Sequence, residues 1–168
     1  MQIRVDKLRS SLDLLKQAVP RKSSVKALAY VLVKCRKLEA TDLGVRVILD
    51  LQEAQDASFL LPYKGVVELL KNVMGDETLT IETPSNTSVK LSWKGGGATF
   101  IVPDYKDYPD FTLKAPTSEG KINGDLFVKA LMEVILYCET EAVRPVLNAV
   151  GVIMGEESFQ VIGSDGFR

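Results

Sequence analysis

One pattern occurs three times in this chain: a short extended stretch, a polar or proline helix start, then a helical run. In the first copy Leu8, Leu12, Leu15 and Val19 recur at helical spacing behind Asp6, which is expected to cap the helix. In the second, Ser58 to Leu61 reads as a strand and Pro62 suits a first helical turn. Val66, Leu69, Leu70 and Val73 then form one apolar face, and Gly75 is expected to stop the helix. In the third, Lys121 and Ile122 read as a strand leading to Asn123 as cap, with Phe127, Ala130, Leu131, Val134 and Ile135 on the apolar side. Leu12-Asp13-Leu14-Leu15-Lys16 also reappears as Val67-Glu68-Leu69-Leu70-Lys71. Such repetition implies one supersecondary unit used several times.

β patterns follow each helix. After the first come Ala29 to Lys34, Lys37 to Thr41 and Val45 to Leu51. After the second, Thr78 to Thr83 and Ser88 to Trp93 are joined by the turn-forming Pro84-Ser85-Asn86, and Gly95-Gly96-Gly97 leads into Ala98 to Val102. After the third, Ala149 to Met154 and Ser158 to Gly163 flank Gly155-Glu156-Glu157. The fold class is therefore α+β, built from β-α-β-β-β repeats with helices on one face of antiparallel sheets. Residues 1–115 hold two whole repeats and 116–168 a third that lacks its last strand or two; Thr112 to Gly120, without periodicity, reads as the linker. Leaving even about 200 Å² of apolar area uncovered costs about 5 kcal/mol at roughly 25 cal/mol/Å². The C-terminal piece is accordingly expected to be covered by another copy of the chain or to be poorly ordered.

Composition removes much of enzymology. With no His among 168 residues, Ser-His-Asp and Cys-His catalysis and every His metal ligand are excluded. Two cysteines cannot make an all-thiolate zinc site, and such sparse use fits a reducing cytosol. Cys35, beside Arg36 and Lys37, reads as a small half-buried residue rather than a redox thiol. The charged N-terminal stretch is not a secretory signal, and no run approaches 18 apolar residues, so a cytoplasmic protein without a membrane span is expected. The triple glycine lies between β patterns and reads as a hairpin turn, since phosphate-binding glycine loops open a helix. Asp104, Asp107 and Asp110 lack the calcium-loop pattern, and Tyr105, Tyr108 and Phe111 read as aromatic anchors of a solvated loop. Asp42 and Asp165, at equivalent places after a strand, read as turn residues. No cofactor, metal or activated nucleophile is expected, and no enzymatic activity.

Lysine and arginine number 21 against 22 aspartate and glutamate, so no global attraction for a polyanion exists. The basic residues nonetheless recur. Arg9 and Lys16 lie seven apart away from the first leucine stripe, Lys64 and Lys71 repeat that spacing on the second helix, and Lys129 lies on the third. Arg21 and Lys22 follow the first helix in a short loop. On periodicity alone a solvated face is the better reading, since Asp13, Glu68 and Glu133 are interleaved. The functional reading is a common basic surface for a phosphate backbone, whose contacts carry no sequence information and weaken with salt.

Four stretches, in order, resemble the bacterial sliding clamp family, the beta subunit of DNA polymerase III. They are Leu38-Glu39-Ala40-Thr41-Asp42-Leu43, then Val102-Pro103-Asp104-Tyr105-Lys106-Asp107-Tyr108-Pro109-Asp110-Phe111, then Val143-Arg144-Pro145-Val146-Leu147-Asn148, and last Gly163-Ser164-Asp165-Gly166-Phe167-Arg168. The second is similar to the family's P-x-x-D-[FY]-P-x-[LF] with one extra residue after Pro103, and the last to A-T-D-G-H-R. The resemblance covers the family's first domain and about half of its second. It implies a DNA-clamp fold of paired repeats, helices lining a hole, and a non-catalytic processivity factor that encircles duplex DNA and tethers the replicative polymerase.

Under that resemblance Arg9, Lys16, Lys64, Lys71 and Lys129 become expected lining of a DNA channel. Lys22, with Arg21 adjacent, matches a DNA-touching basic residue, usually arginine, in the loop after the family's first helix; lysine keeps the charge and loses the bidentate fork. Leu147, Ser164, Gly166, Phe167 and Arg168 match half of the family's apolar pocket for peptides of the polymerase and clamp loader, with Phe167 in place of the usual His. The partners implied are non-specific double-stranded DNA, polymerase, loader and further copies in a homo-oligomer. Without a third domain the family's ring closure is not open to this chain alone, so a clamp-like protein-interaction module that no longer encircles DNA is the alternative.

Overall fold

The computed structural model describes residues 1–53, 58–110, 119–140 and 144–167. Most of the expected linker, together with Phe111, Val143 and Arg168, lies outside them. The chain divides into two compact units, Met1–Thr112 and Leu113–Arg168.

In the first unit, β1 (Gln2–Arg4) runs without a loop into α1 (Val5–Leu15), and β2 (Tyr30–Lys34), β3 (Lys37–Thr41) and β4 (Arg46–Asp50) follow. The second repeat runs β5 (Phe59–Pro62), α2 (Tyr63–Leu70), β6 (Thr78–Ser85), β7 (Ser88–Trp93) and β8 (Gly96–Ile101). The two repeats do not form separate sheets. One antiparallel sheet has the order β1-β6-β7-β8 and the other β4-β3-β2-β5, so each takes three strands from one repeat and the leading strand from the other. Ile3 stands opposite Leu79 in the first sheet, and Val31 opposite Leu61 in the second; all four are buried. α1 packs on β3 and β4 and lies beside α2, and the two helices and both sheets share one core. Neither repeat could bury its stripe alone.

The helix starts show the true equivalence of the repeats. Counting from Val5 and Tyr63, Leu8 matches Val66, Leu12 matches Leu70 and Leu15 matches Val73, all buried. The five-residue sequence likeness between the helices is three residues out of step with this and reflects helical period, not homologous position. Two expected boundaries also move. Asp6 is not the cap: it sits in the first turn of α1, whose leading N–H groups are met by backbone, Val5 donating to Glu77 O at 3.0 Å and Asp6 to Gly75 O at 2.9 Å. α2 ends at Leu70 rather than at Gly75, because residues 71–73 close with short-range turn bonds instead of helical ones. Cys35 is exposed, not half-buried. With φ of 50° and 62°, Cys35 and Arg36 form the left-handed two-residue turn that joins β2 to β3, and a turn apex has no neighbours to bury it.

Glu39 and Thr41 lie on the face of their sheet opposite the helices, yet both are buried. The segment around Tyr105–Tyr108 covers them, and Tyr108 is itself 5% exposed. Arg46 grips Glu39 there through two contacts of 2.7 Å.

The second unit contains α3 (Gly124–Val134) and an antiparallel hairpin of β9 (Gly151–Met154) and β10 (Phe159–Ile162). Asn123 caps α3 as expected, its Oδ1 accepting from Leu126 N at 3.0 Å. Phe127 meets Phe159 edge to face with ring centroids 5.5 Å apart. Lys121 and Ile122, expected as a strand, pair with nothing regular. In the first unit each leading strand is instead seated in the other repeat's sheet. Among its described residues none is buried. No helix among the described residues is long and apolar enough to cross a membrane.

Candidate nucleic-acid interface

The first unit sets its basic side chains beside the junction of α1 and α2. Lys16 caps the C-terminal end of α1, Arg21 stands in the loop after it, and Lys64 occupies the first turn of α2. All three line one open cleft of about 680 Å³, with Tyr63 and Asp42 on its walls. Asp42 accepts from Val45 N at 2.7 Å and Gly44 N at 2.9 Å, and these bonds hold its carboxyl below the usual carboxylate range. It is a turn residue, as its sequence position implied, and it sets one fixed negative charge against three cations. Burial and the charge of Asp13 raise the Tyr63 phenol, which therefore stays a neutral donor at physiological pH. Lys22 follows Arg21 and is exposed.

Two further basic residues are occupied otherwise. Arg9 reaches the C-terminal end of α2, its Nη2 donating to Leu70 O at 2.6 Å and to Val73 O at 3.1 Å. Leu70 O also accepts from Val73 N at 3.4 Å, and a cation at this end of α2 complements the helix dipole. Lys71 pairs with Glu68 at 2.8 Å in an exposed i, i+3 bridge. Arg9 and Lys71 flank a hollow of about 170 Å³ between α1 and α2, next to Leu12, Asp13, Val67 and Leu70. In the second unit Lys129 is exposed on α3.

The proposed half pocket is also locally organised. Gly166 has φ +89°, where a side chain would be strained, and a Cβ there would stand 3.3 Å from Leu147 Cδ1 and 3.4 Å from Arg144 Nη1. Its N–H donates to Ser164 Oγ at 3.0 Å, and Phe167 N to Asp165 Oδ1 at 2.9 Å. Leu147, Arg144 and Gly166 are thus neighbours, while Phe167 projects with 93% exposure. Arg168 lies outside the described residues.

No family model matches the chain. No curated protein matches it either. Solved structures do. The sliding clamp (DNA polymerase III subunit beta) of Pseudomonas aeruginosa superposes with a TM-score of 0.86 at 17% identity, covering 99% of this chain and 47% of that one. The beta chain of DNA polymerase III from Streptococcus pneumoniae gives 0.82 at 16% identity over 98% and 47%, and the beta subunit from Streptococcus pyogenes 0.81 at 15% over 98% and 46%. The chain has the sliding-clamp fold.

It spans about half the length of the clamp structures that it matches. Within the clamp fold, the residues that sequence reasoning missed are Tyr63 and Arg144. Tyr63 follows the helix-starting Pro62, and that position alone put it at the cleft rim. Arg144 sits inside one of the four family-like stretches, where Leu147 N donates to its carbonyl at 2.9 Å, but only the fold brings the pair to Gly166.

Proposed function

We propose that this chain is a non-catalytic clamp subunit, or part of one, that holds duplex DNA loosely through phosphate contacts and tethers a replicative polymerase. The observation that carries the reading is the convergence of Lys16, Arg21 and Lys64 from two repeats on one solvent-open cleft. Exposed, unbonded lysines on flexible stems suit a partner that must slide, since they attract phosphate without fixing a register. Lys22 extends this set along the loop, Lys71 adds a charge shared with Glu68, and Lys129 adds a contact from the second unit. Arg9 is left out of the contact set because its guanidinium serves α2. The peptides of polymerase and clamp loader would meet the surface of Leu147, Ser164, Gly166, Phe167 and Arg168, and the action is cytoplasmic, with further copies needed to close any ring.

A salt titration on short duplex DNA tests this. Five cations, Lys16, Arg21, Lys22, Lys64 and Lys129, on phosphates give a slope of log K against log salt of about −4.5, taking about −0.9 per phosphate. Lys22→Ala and Lys64→Ala should each reduce the magnitude of that slope by about 0.9 without altering sequence preference. A flat titration would refute DNA holding and favour the protein-interaction module. Retention on circular but not linear duplex would establish encirclement.

A further inference from the structure

The cleft of the first unit holds more than a duplex backbone uses. Its rim carries Lys16, Gln17, Arg21 and Lys64, all exposed, and none of these side chains makes a hydrogen bond or ion pair among the described residues. Its apolar wall is made by Val19, Pro20 and Tyr63, each half-buried. Tyr63 packs against the core while it lines the cleft, so the ring is held in place. Paired DNA keeps its bases stacked inside and offers such a surface only phosphates. Lys16, Arg21 and Lys64 suit those, but the aromatic wall would stay idle and Asp42 would repel them.

Asp42 is also a prepared acceptor. The Gly44 and Val45 amides both donate to its Oδ1, at 2.9 and 2.7 Å, and Oδ2 accepts no hydrogen bond among the described residues. The turn that carries it is fixed. Leu43 has φ 78°, and Thr41 Oγ1 ties the loop by accepting from Leu43 N at 3.0 Å and donating to Val45 O at 2.8 Å. Leucine in left-handed backbone persists only where surrounding bonds over-determine it.

We infer that this cleft binds an unpaired nucleotide of single-stranded DNA. Its phosphates sit on Lys16, Arg21 and Lys64, its base stacks on Tyr63, and its exocyclic amino group donates to Asp42 Oδ2. A basic groove with an aromatic platform is the arrangement that holds single strands, because every base has a face to stack. The cleft, at about 680 Å³, has room for a nucleotide, since small-molecule sites run from about 300 to 1,000 Å³. A carboxylate oxygen only accepts, so it favours cytosine, which presents an N4 amino group, over thymine, which presents O4. The inference rests on reading this cleft as a DNA surface.

The test is fluorescence anisotropy of the full chain with single strands of about ten nucleotides, all dC or all dT, and with a blunt duplex at the same salt. The dC strand should bind about 10-fold more tightly than the dT strand. Asp42→Asn keeps an oxygen for the Gly44 and Val45 amides and puts an amide donor at the open position, so the preference should vanish or turn toward thymine. Tyr63→Leu should weaken the dC strand about 10-fold more than the blunt duplex, while Tyr63→Phe, which keeps the ring, should hold the strand as the parent does. Should Tyr63→Leu unfold the unit, the dC to dT ratio of Asp42→Asn still decides. Equal affinity for the two strands, a ratio untouched by Asp42→Asn, or parallel losses on strand and duplex in Tyr63→Leu would each overturn the base site. Displacement of the strand by polyglutamate as readily as by free dC strand would overturn it too, and assign the cleft to acidic protein segments. A duplex that titrates with salt while the strands show no preference refutes the base site alone; a dC strand that binds as expected beside a flat duplex titration refutes the clamp reading alone.

Discussion

Replacing Arg9 by Met separates the two roles open to a basic residue on α1. The guanidinium donates to Leu70 O and Val73 O at the end of α2, at 2.6 and 3.1 Å. Hydrogen bonds to charged groups contribute about 1.5–3 kcal/mol each when sheltered. Arg9 keeps solvent contact, so about 1 kcal/mol for each bond is appropriate, and the carbonyls left behind regain only part of this from water. Methionine retains the apolar stem that lies beside Leu12 and Val67. The variant should therefore lose about 2 kcal/mol, a fall in melting temperature of roughly 8 °C for a unit of this size. Thermal unfolding followed by circular dichroism reads the stability, and the salt titration on duplex DNA reads the contact count. Stability should fall while the salt slope holds. A slope reduced by about 0.9 with unchanged melting would refute the capping role and return Arg9 to the DNA surface.

Three further outcomes follow from the packing. Tyr108, pushed up to about 12 by burial and then by the Glu39 charge, binds its proton more tightly folded than unfolded. Its stabilisation is whole below pH 10 and is lost as pH rises from about 10 to about 12; Tyr108→Phe should remove up to about 2 kcal/mol of that decline in urea unfolding. Asp42, held low by the Val45 and Gly44 amides, contributes in the opposite sense: its share is present at neutral pH and lost as pH falls below about 4. Asp42→Ala should flatten the acid limb of the stability curve, and an unchanged limb would deny the turn role. At Gly163 a Cβ would lie 2.6 Å from Val134 Cγ1 and 2.9 Å from both Cys138 Sγ and Val134 O. Gly163→Ala should accordingly cost the second unit about 1–3 kcal/mol, seen as faster amide exchange across β9 and β10; protection equal to the parent would refute the close seat.

The candidate site was partly legible. The seven-residue spacings of Arg9 with Lys16 and of Lys64 with Lys71 announced basic helix positions, and Lys16 and Lys64 stand on one cleft. Arg9 had the same spacing as its neighbours, and nothing in periodicity distinguishes a cation facing water from one facing a helix end that arrives from 61 residues away. Asp42 and Asp165 were readable as turn residues because their partners lie two or three residues along the chain.

What the amino-acid order determined by itself is local: three helices with their apolar stripes, the hairpins, the Asn123 cap and the count of repeats, though not the start of α1 or the end of α2. The exchange of leading strands between sheets and the alignment of Leu8 with Val66 rather than Leu12 with Val67 belong to the tertiary structure. The physical reason is range. A helix or a tight turn closes its own hydrogen bonds within four residues, so its signal is written next to it. A strand must find its bonds on a distant neighbour, and only the assembled core decides which neighbour that is.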